Sequence, residues 1–260
     1  MPKKKEEQIE EKEVLEPINE EEAPEIQIPE DWKPKTEIGK RIVSGEITSI
    51  DEILDSGSAI LEPEIVESLL DLQSELLLVG QAKGKFGGGQ RRVFRQTQKK
   101  TREGNKPKFT TVAVVGNKDG YVGIGMGKSK ETVPAREKAT KNAKLNIFKI
   151  SRGAGSWETN SKEPSSIPFA VTGKCGSVQI TLMPAPKGKG LCVEKECAKI
   201  LEMAGIEDVW SKTIGQTKNK INLIKACEQA LRKLISTKMR PADREAVSYQ
   251  EGAVKVLQNE

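Results

Sequence analysis

Ten cations fall between residues 83 and 108: Lys83, Lys85, Arg91, Arg92, Arg95, Lys99, Lys100, Arg102, Lys106 and Lys108, against one acid, Glu103. The chemistry open to such a set is polyanion recognition. A guanidinium presents a planar fork to phosphate and stacks on bases. Phe86 and Phe94 are interleaved with the charges. The bland reading is a solvated, charged hairpin tip, but the arginine content and the two aromatics favour RNA contact. Six such cations, each meeting one phosphate, would give log K against log salt a slope of roughly −4 to −5. A second basic loop, Pro184–Gly190, carries Lys187 and Lys189 among prolines and glycines, where an ordinary turn is an equal reading. Lys128 and Arg152 complete the predicted RNA-binding set.

Gly120-Tyr-Val-Gly-Ile-Gly-Met-Gly-Lys-Ser129 resembles a nucleotide-binding loop but fails on spacing. A P-loop ending in Gly127-Lys128-Ser129 needs glycine where Val122 stands, and the dinucleotide fingerprint needs glycine where Lys128 stands. The run reads instead as a strand whose glycines admit another backbone, from RNA or a neighbouring protein. The chain has no histidine, which removes the commonest general base and the Ser-His-Asp and Cys-His nucleophile systems. Cys175, Cys192, Cys197 and Cys227 form no C-x-x-C pair and read as reduced core residues of an intracellular protein. No catalytic residue, cofactor or metal is expected. No apolar run approaches the length of a membrane span and no signal-peptide segment opens the chain, so a cytoplasmic protein is expected.

These residues need elements to position them. The chain has an acidic head and a basic body. Residues 1–80 hold 8 Lys/Arg and 22 Asp/Glu, a net of −14. Residues 81–260 hold 35 and 16, a net of +19. Residues 1–30, rich in Glu, Lys and Pro, read as a disordered acidic tail. Residues 31–62 read as an extension with a short helix begun near Ser49, and a second helix starts at Pro63. Strands are expected at Leu76–Val79, Phe109–Val115 and Tyr121–Met126, the last two joined by a turn at 116–120. A helix follows with Pro134 in its first turn and Ala135, Ala139, Ala143, Leu145 and Ile147 on or near its inner side. Residues 63–150 thus have the order αβββα of a double-stranded-RNA-binding fold. Residues 151–168 read as a connector. A second α+β domain, 169–236, is expected to hold strands around Phe169–Val171 and Ser177–Leu182 across a Gly173–Gly176 turn, a helix stopped by Gly205, a strand at Val209–Ile214 and a helix capped by Asn219. Trp157 and Trp210 read as packing residues. Residues 237–260 read as a polar tail.

The stretch FTTVAVVGNKDGYVGIGMGKSKETVPAREKA resembles the signature of the fifth small-subunit ribosomal protein family, and RGAGSW (152–157), SIPF (166–169), PAPKGKGL (184–191) and AGIEDVWSKTIGQT (204–217) are similar to its archaeal and eukaryotic branch, archaeal in preference. The resemblance covers roughly residues 31–235. It implies an α+β protein with a double-stranded-RNA-binding-like N-terminal domain and a C-terminal domain with a left-handed βαβ crossover. It further implies a cytoplasmic, non-enzymatic constituent of the small ribosomal subunit, bound to its ribosomal RNA. The implied position is where mRNA enters, beside the third and fourth small-subunit proteins, with an influence on decoding accuracy. The basic loop would be the family's extended loop between the first two strands, here longer and more basic. Where relatives often carry three cysteines and a histidine suited to zinc, this chain has Ala154, Thr159, Ser161 and Ser165, so a metal-free connector is expected. A free RNA chaperone or assembly factor is the alternative function. An NTPase or RNA-modifying enzyme is opposed by the failed spacing and the missing histidine.

Overall fold

The computed structural model describes residues 32–84, 89–159 and 163–253. Three short helices open it. α1 (Glu37–Val43) is capped by the Thr36 hydroxyl, α2 (Ile50–Asp55) by Ser49, as its sequence predicts, and α3 (Pro63–Leu69) begins on proline. Then come β1 (Gln73–Leu76), β2 (Arg95–Thr101), β3 (Gly104–Gly116), β4 (Tyr121–Ser129), α4 (Thr132–Leu145) and β5 (Ile147–Lys149). β1 and β2 lie end to end along one edge of β3: β1 pairs with residues 113–116 and β2 with 104–110. β4 pairs with the other edge of β3, and β5 pairs with β4. The expected αβββα order is therefore present, with its first sheet position split in two.

The first strand begins three residues earlier than expected. Leu77 and Val79 drop into the core, and the Leu78 amide donates to the Glu196 carboxylate at 2.7 Å. Ile147 belongs to β5 rather than to α4, because the helix ends at Asn146, whose side chain donates to Ile124 O at 3.0 Å. In the turn at 116–120, Asn117 accepts from the amides of Asp119 and Tyr121, and Lys118 takes the positive φ of 60° beside Gly120 at 86°.

The second unit comprises β6 (Ser151–Arg152), β7 (Val171–Cys175), β8 (Val178–Pro184), β9 (Leu191–Cys192), α5 (Lys195–Met203), β10 (Val209–Ile214), α6 (Lys220–Ser236), α7 (Pro241–Ala246) and β11 (Gln250–Glu251). Its main sheet runs β7-β8-β10-β9, with β9 parallel to β10 across the α5 crossover. The β7–β8 turn falls at Gly176-Ser177. Gly173 lies inside β7 instead, where a Cβ would sit 2.0 Å from Ala226 O of α6. Gly205 stops α5 at φ 76°, as expected. Asn219 holds the N-cap position of α6, but its side chain makes no capping bond.

One apolar cluster runs through both units, from Leu77, Val112 and Ile124 to Ile200, Leu223 and Leu234. Only Cys197 and Cys227 of the four cysteines join it buried; Cys192 is exposed and Cys175 half-buried. The Cys227 hydrogen bond, then burial, push the Cys197 thiol up. Trp157 is no packing residue, being 90% exposed, whereas Trp210 is half-buried in β10. The largest departure concerns the C-terminus. Residues 237–253, expected as tail, form α7 and β11, and β11 pairs with β6. The Ala154 amide donates to Val247 O at 2.7 Å and Gly252 N to Ile150 O at 3.0 Å. The returning segment supplies part of the connector's backbone partners, and the rest come from within 153–167 and from residues 207–208. The expected acidic tail at 1–30 lies outside the described residues.

Candidate nucleic-acid interface

The basic stretch is two consecutive hairpins. In the first, Gly80 N donates to Arg92 O at 2.8 Å and Arg92 N to Gln81 O at 3.1 Å, with Ala82 bridged to Arg91. Gly80 is obligatory here, since a Cβ would lie 2.3 Å from Phe94 O. Lys83 is exposed on this arm; Lys85 and Phe86 lie outside the described residues. Arg91 is half-buried and donates to Gly80 O at 3.4 Å, while Arg92 is exposed. Phe94 is not free to stack on a base: it packs edge-on against Phe109 with ring centroids 5.5 Å apart and anchors the hairpin root.

The second hairpin is β2 with the first half of β3, reversed at Arg102-Glu103. Side chains of a strand alternate between faces. Arg95, Thr97 and Lys99 therefore share one face with their partners Thr110, Lys108 and Lys106, while Gln96, Gln98, Asn105, Pro107 and Lys100 share the other. Lys99 stands directly opposite Lys106, an arrangement that opposes folding of an isolated hairpin. Among the described residues only Glu103 offers relief, an exposed ion pair to Lys106 at 2.7 Å, which is worth little. Nearly every residue of β2 is exposed, so no core supports this ribbon. The ribbon is cationic and exposed on both faces.

At the hairpin root, β4 contributes Lys128 opposite Thr110, and Lys108, Lys128, Lys130 and Lys138 border one recess beside the start of α4. Lys130 and Lys138 escaped sequence reasoning. Their signal was the lysine spacing across the first turns of α4, which means nothing until the hairpin is folded beside it. A second cleft brings Arg91 and Arg95 next to Lys218 and Lys220 of the other unit, a juxtaposition no local pattern shows.

Two sequence expectations need correction, and a third set of residues, Lys187 and Lys189, lies exposed as expected. The backbone approaching the β4 glycines is neither RNA nor another protein. It is α4: a Cβ on Gly123, Gly125 or Gly127 would lie 2.2 Å from Ala143 O, 2.1 Å from Ala143 N or 2.1 Å from Ala135 O. Arg152 is not a surface cation. It is 6% exposed, paired with Asp119, and donates to Gly252 O at 3.2 Å. Burial demanded partners for its charge, and the turn and the returning C-terminus supply them. Lys187 is exposed but paired with Glu163, which raises its pKa, and Lys189 is exposed on the same stiff loop, tied down by Gly190 N donating to Asp208 at 2.7 Å.

Together, two α+β units on one core present a cationic ribbon and two cation-lined recesses, the features of a scaffold protein with a basic surface. The profile "Ribosomal protein S5, N-terminal domain" matches residues 93–151 and "Ribosomal protein S5, C-terminal domain" matches 173–244. The chain is 46% identical over 226 residues to small ribosomal subunit protein uS5 of Nanoarchaeum equitans, covering 86% of this chain and 97% of the relative. It is 48% identical over 204 residues to that of Staphylothermus marinus (78% and 88%) and 42% over 226 residues to that of Methanocaldococcus jannaschii (86% and 97%). The chain belongs to the ribosomal protein S5 family.

Proposed function

We propose that this protein is a structural constituent of the small ribosomal subunit that binds ribosomal RNA through the β2–β3 ribbon and the lysine recess at its root. The observation that carries this is the ribbon itself: exposed on both faces, unsupported by core, with Lys99 and Lys106 opposed. Ribosomal RNA neutralises those charges and supplies the surface the ribbon lacks, while the shared core braces the two units around it. The mechanism is positioning, with no bond made or broken. The proposed finer location is where mRNA enters, beside the third and fourth small-subunit proteins, with an effect on decoding accuracy.

The test is incorporation. Arg95→Glu, Lys99→Glu and Lys108→Glu, all at exposed sites, leave the fold intact by circular dichroism and lower the fraction co-sedimenting with the small subunit at moderate salt. Unchanged incorporation and unchanged misreading would overturn the role of the ribbon. Wild-type protein found away from the subunit at every salt would favour a free RNA chaperone or assembly factor.

A further inference from the structure

The cationic ribbon has an acidic counterpart within the same chain. Residues 6–31 hold twelve acids and one lysine. The ribbon of residues 95–108 holds six cations and one acid, and Lys108 continues into a recess with Lys128, Lys130 and Lys138. We propose that in the free protein the acidic N-terminal segment covers the cationic face of the β2–β3 ribbon, occupies it in place of RNA, and is displaced when ribosomal RNA binds.

The tether permits it. Trp32 packs on the cluster containing Tyr121 and Ile147, and its indole donates to Glu62 at 3.0 Å. This fixes the segment's origin near the Tyr121 end of β4, while the ribbon root is at the Ser129 end. Nine residues of strand span about 27 Å, and the six residues of β3 beyond the root add about 20 Å. Thirty-one residues of chain reach at most about 100 Å. The whole ribbon is within reach, at a local concentration of order millimolar. Carboxylates on a tether neutralise the opposed Lys99 and Lys106 without base stacking or duplex geometry, so their hold is weak and salt-sensitive, as a displaceable cover requires.

This inference rests on the ribbon binding RNA, and one experiment separates the two. Affinity for a 20-base-pair RNA duplex is measured for the full chain, for a chain lacking residues 1–31, for a ribbon variant (Arg95→Gln, Lys99→Gln, Lys106→Gln, Lys108→Gln), and for the ribbon variant with the deletion. At about 0.1 M salt, deletion strengthens binding about 5- to 10-fold in the natural ribbon, the gain falls below about twofold at 0.5 M, and it disappears in the ribbon variant. Zero-length carbodiimide cross-linking of the full chain joins Glu residues of 6–31 to lysines of 99–108. If deletion changes nothing while the ribbon variant binds weakly, the cover is wrong and the RNA surface stands. An equal gain from deletion in both backgrounds, or cross-links only to other lysines, would also overturn it, since the segment would then repel RNA without occupying the ribbon. If neither change moves affinity, the RNA-binding role of the ribbon fails first.

Discussion

Single atoms decide the packing beneath the ribbon. A methyl group at Gly125 would lie 2.1 Å from Ala143 N and 2.3 Å from Ala139 O, both backbone atoms that cannot yield separately from α4. Gly125→Ala is therefore expected to destabilise the protein by about 3 kcal/mol, readable as a lower denaturation midpoint. A nucleotide-loop reading predicts instead lost ATP binding at unchanged stability. Glu62 supplies a pH effect. Burial pushes its carboxyl up, but the amides of Lys35 and Thr36, each donating at 2.8 Å, and the Trp32 indole outweigh that and hold it below the ordinary 4.5. A lowered folded pKa gives stability that is present above 4.5 and lost as pH falls through the folded value. Wild type is expected to exceed Glu62→Gln by about 1 kcal/mol at neutral pH, with the gap closing below 4.5 in acid-unfolding curves.

At the scale of elements, the ribbon is proposed to carry binding, and its exposed strand β2 contributes little to the core. Replacing Arg95, Lys99, Lys106 and Lys108 by Gln is expected to flatten the salt dependence of RNA affinity by about 3 in log–log slope. The thermal midpoint should hold or rise, because the opposed Lys99 and Lys106 no longer repel. A collapsed midpoint with an unchanged salt slope would show the reverse assignment. How much of this element was legible in sequence is uneven. The ten cations were plain, as was their opposition to a single acid. Their division into two hairpins was not, because Gln96–Lys100 carries no apolar alternation, and β2 exists by pairing with β3 rather than by facing a core.

For the whole molecule, the returning C-terminus is the structural surprise. α7 and β11 close over the connector; the Gly252 carbonyl accepts from the Arg152 guanidinium, and a Cβ at Gly252 would lie 2.8 Å from the Tyr121 hydroxyl, which donates to Asp51 at 2.8 Å. Truncation after residue 237 is expected to lower the melting temperature by several degrees and to open residues 153–168 to protease. Arg152→Ala should cost about 2 kcal/mol by stripping a buried charge pair that Asp119, itself partly exposed, recovers in part from water. A purely RNA-binding Arg152 would instead leave the melting curve of the free protein unchanged.

The sequence by itself determined what depends on local pattern and covalent chemistry. The αβββα order follows from apolar periodicity and punctuation, the exclusion of nucleotide loops from spacing, the absence of histidine chemistry from composition, and the family from motifs spread along the chain. Tertiary structure decided what depends on which distant groups meet. It turned the β4 glycines into a seat for α4 and withdrew Arg152 from the surface. It brought Lys130 and Lys138 to the ribbon root and folded the polar C-terminal segment onto the connector. The physical reason is common to all four: close approach, burial of charge and satisfaction of backbone polar groups are pairwise conditions between residues far apart in the chain, and neither partner's local sequence carries them.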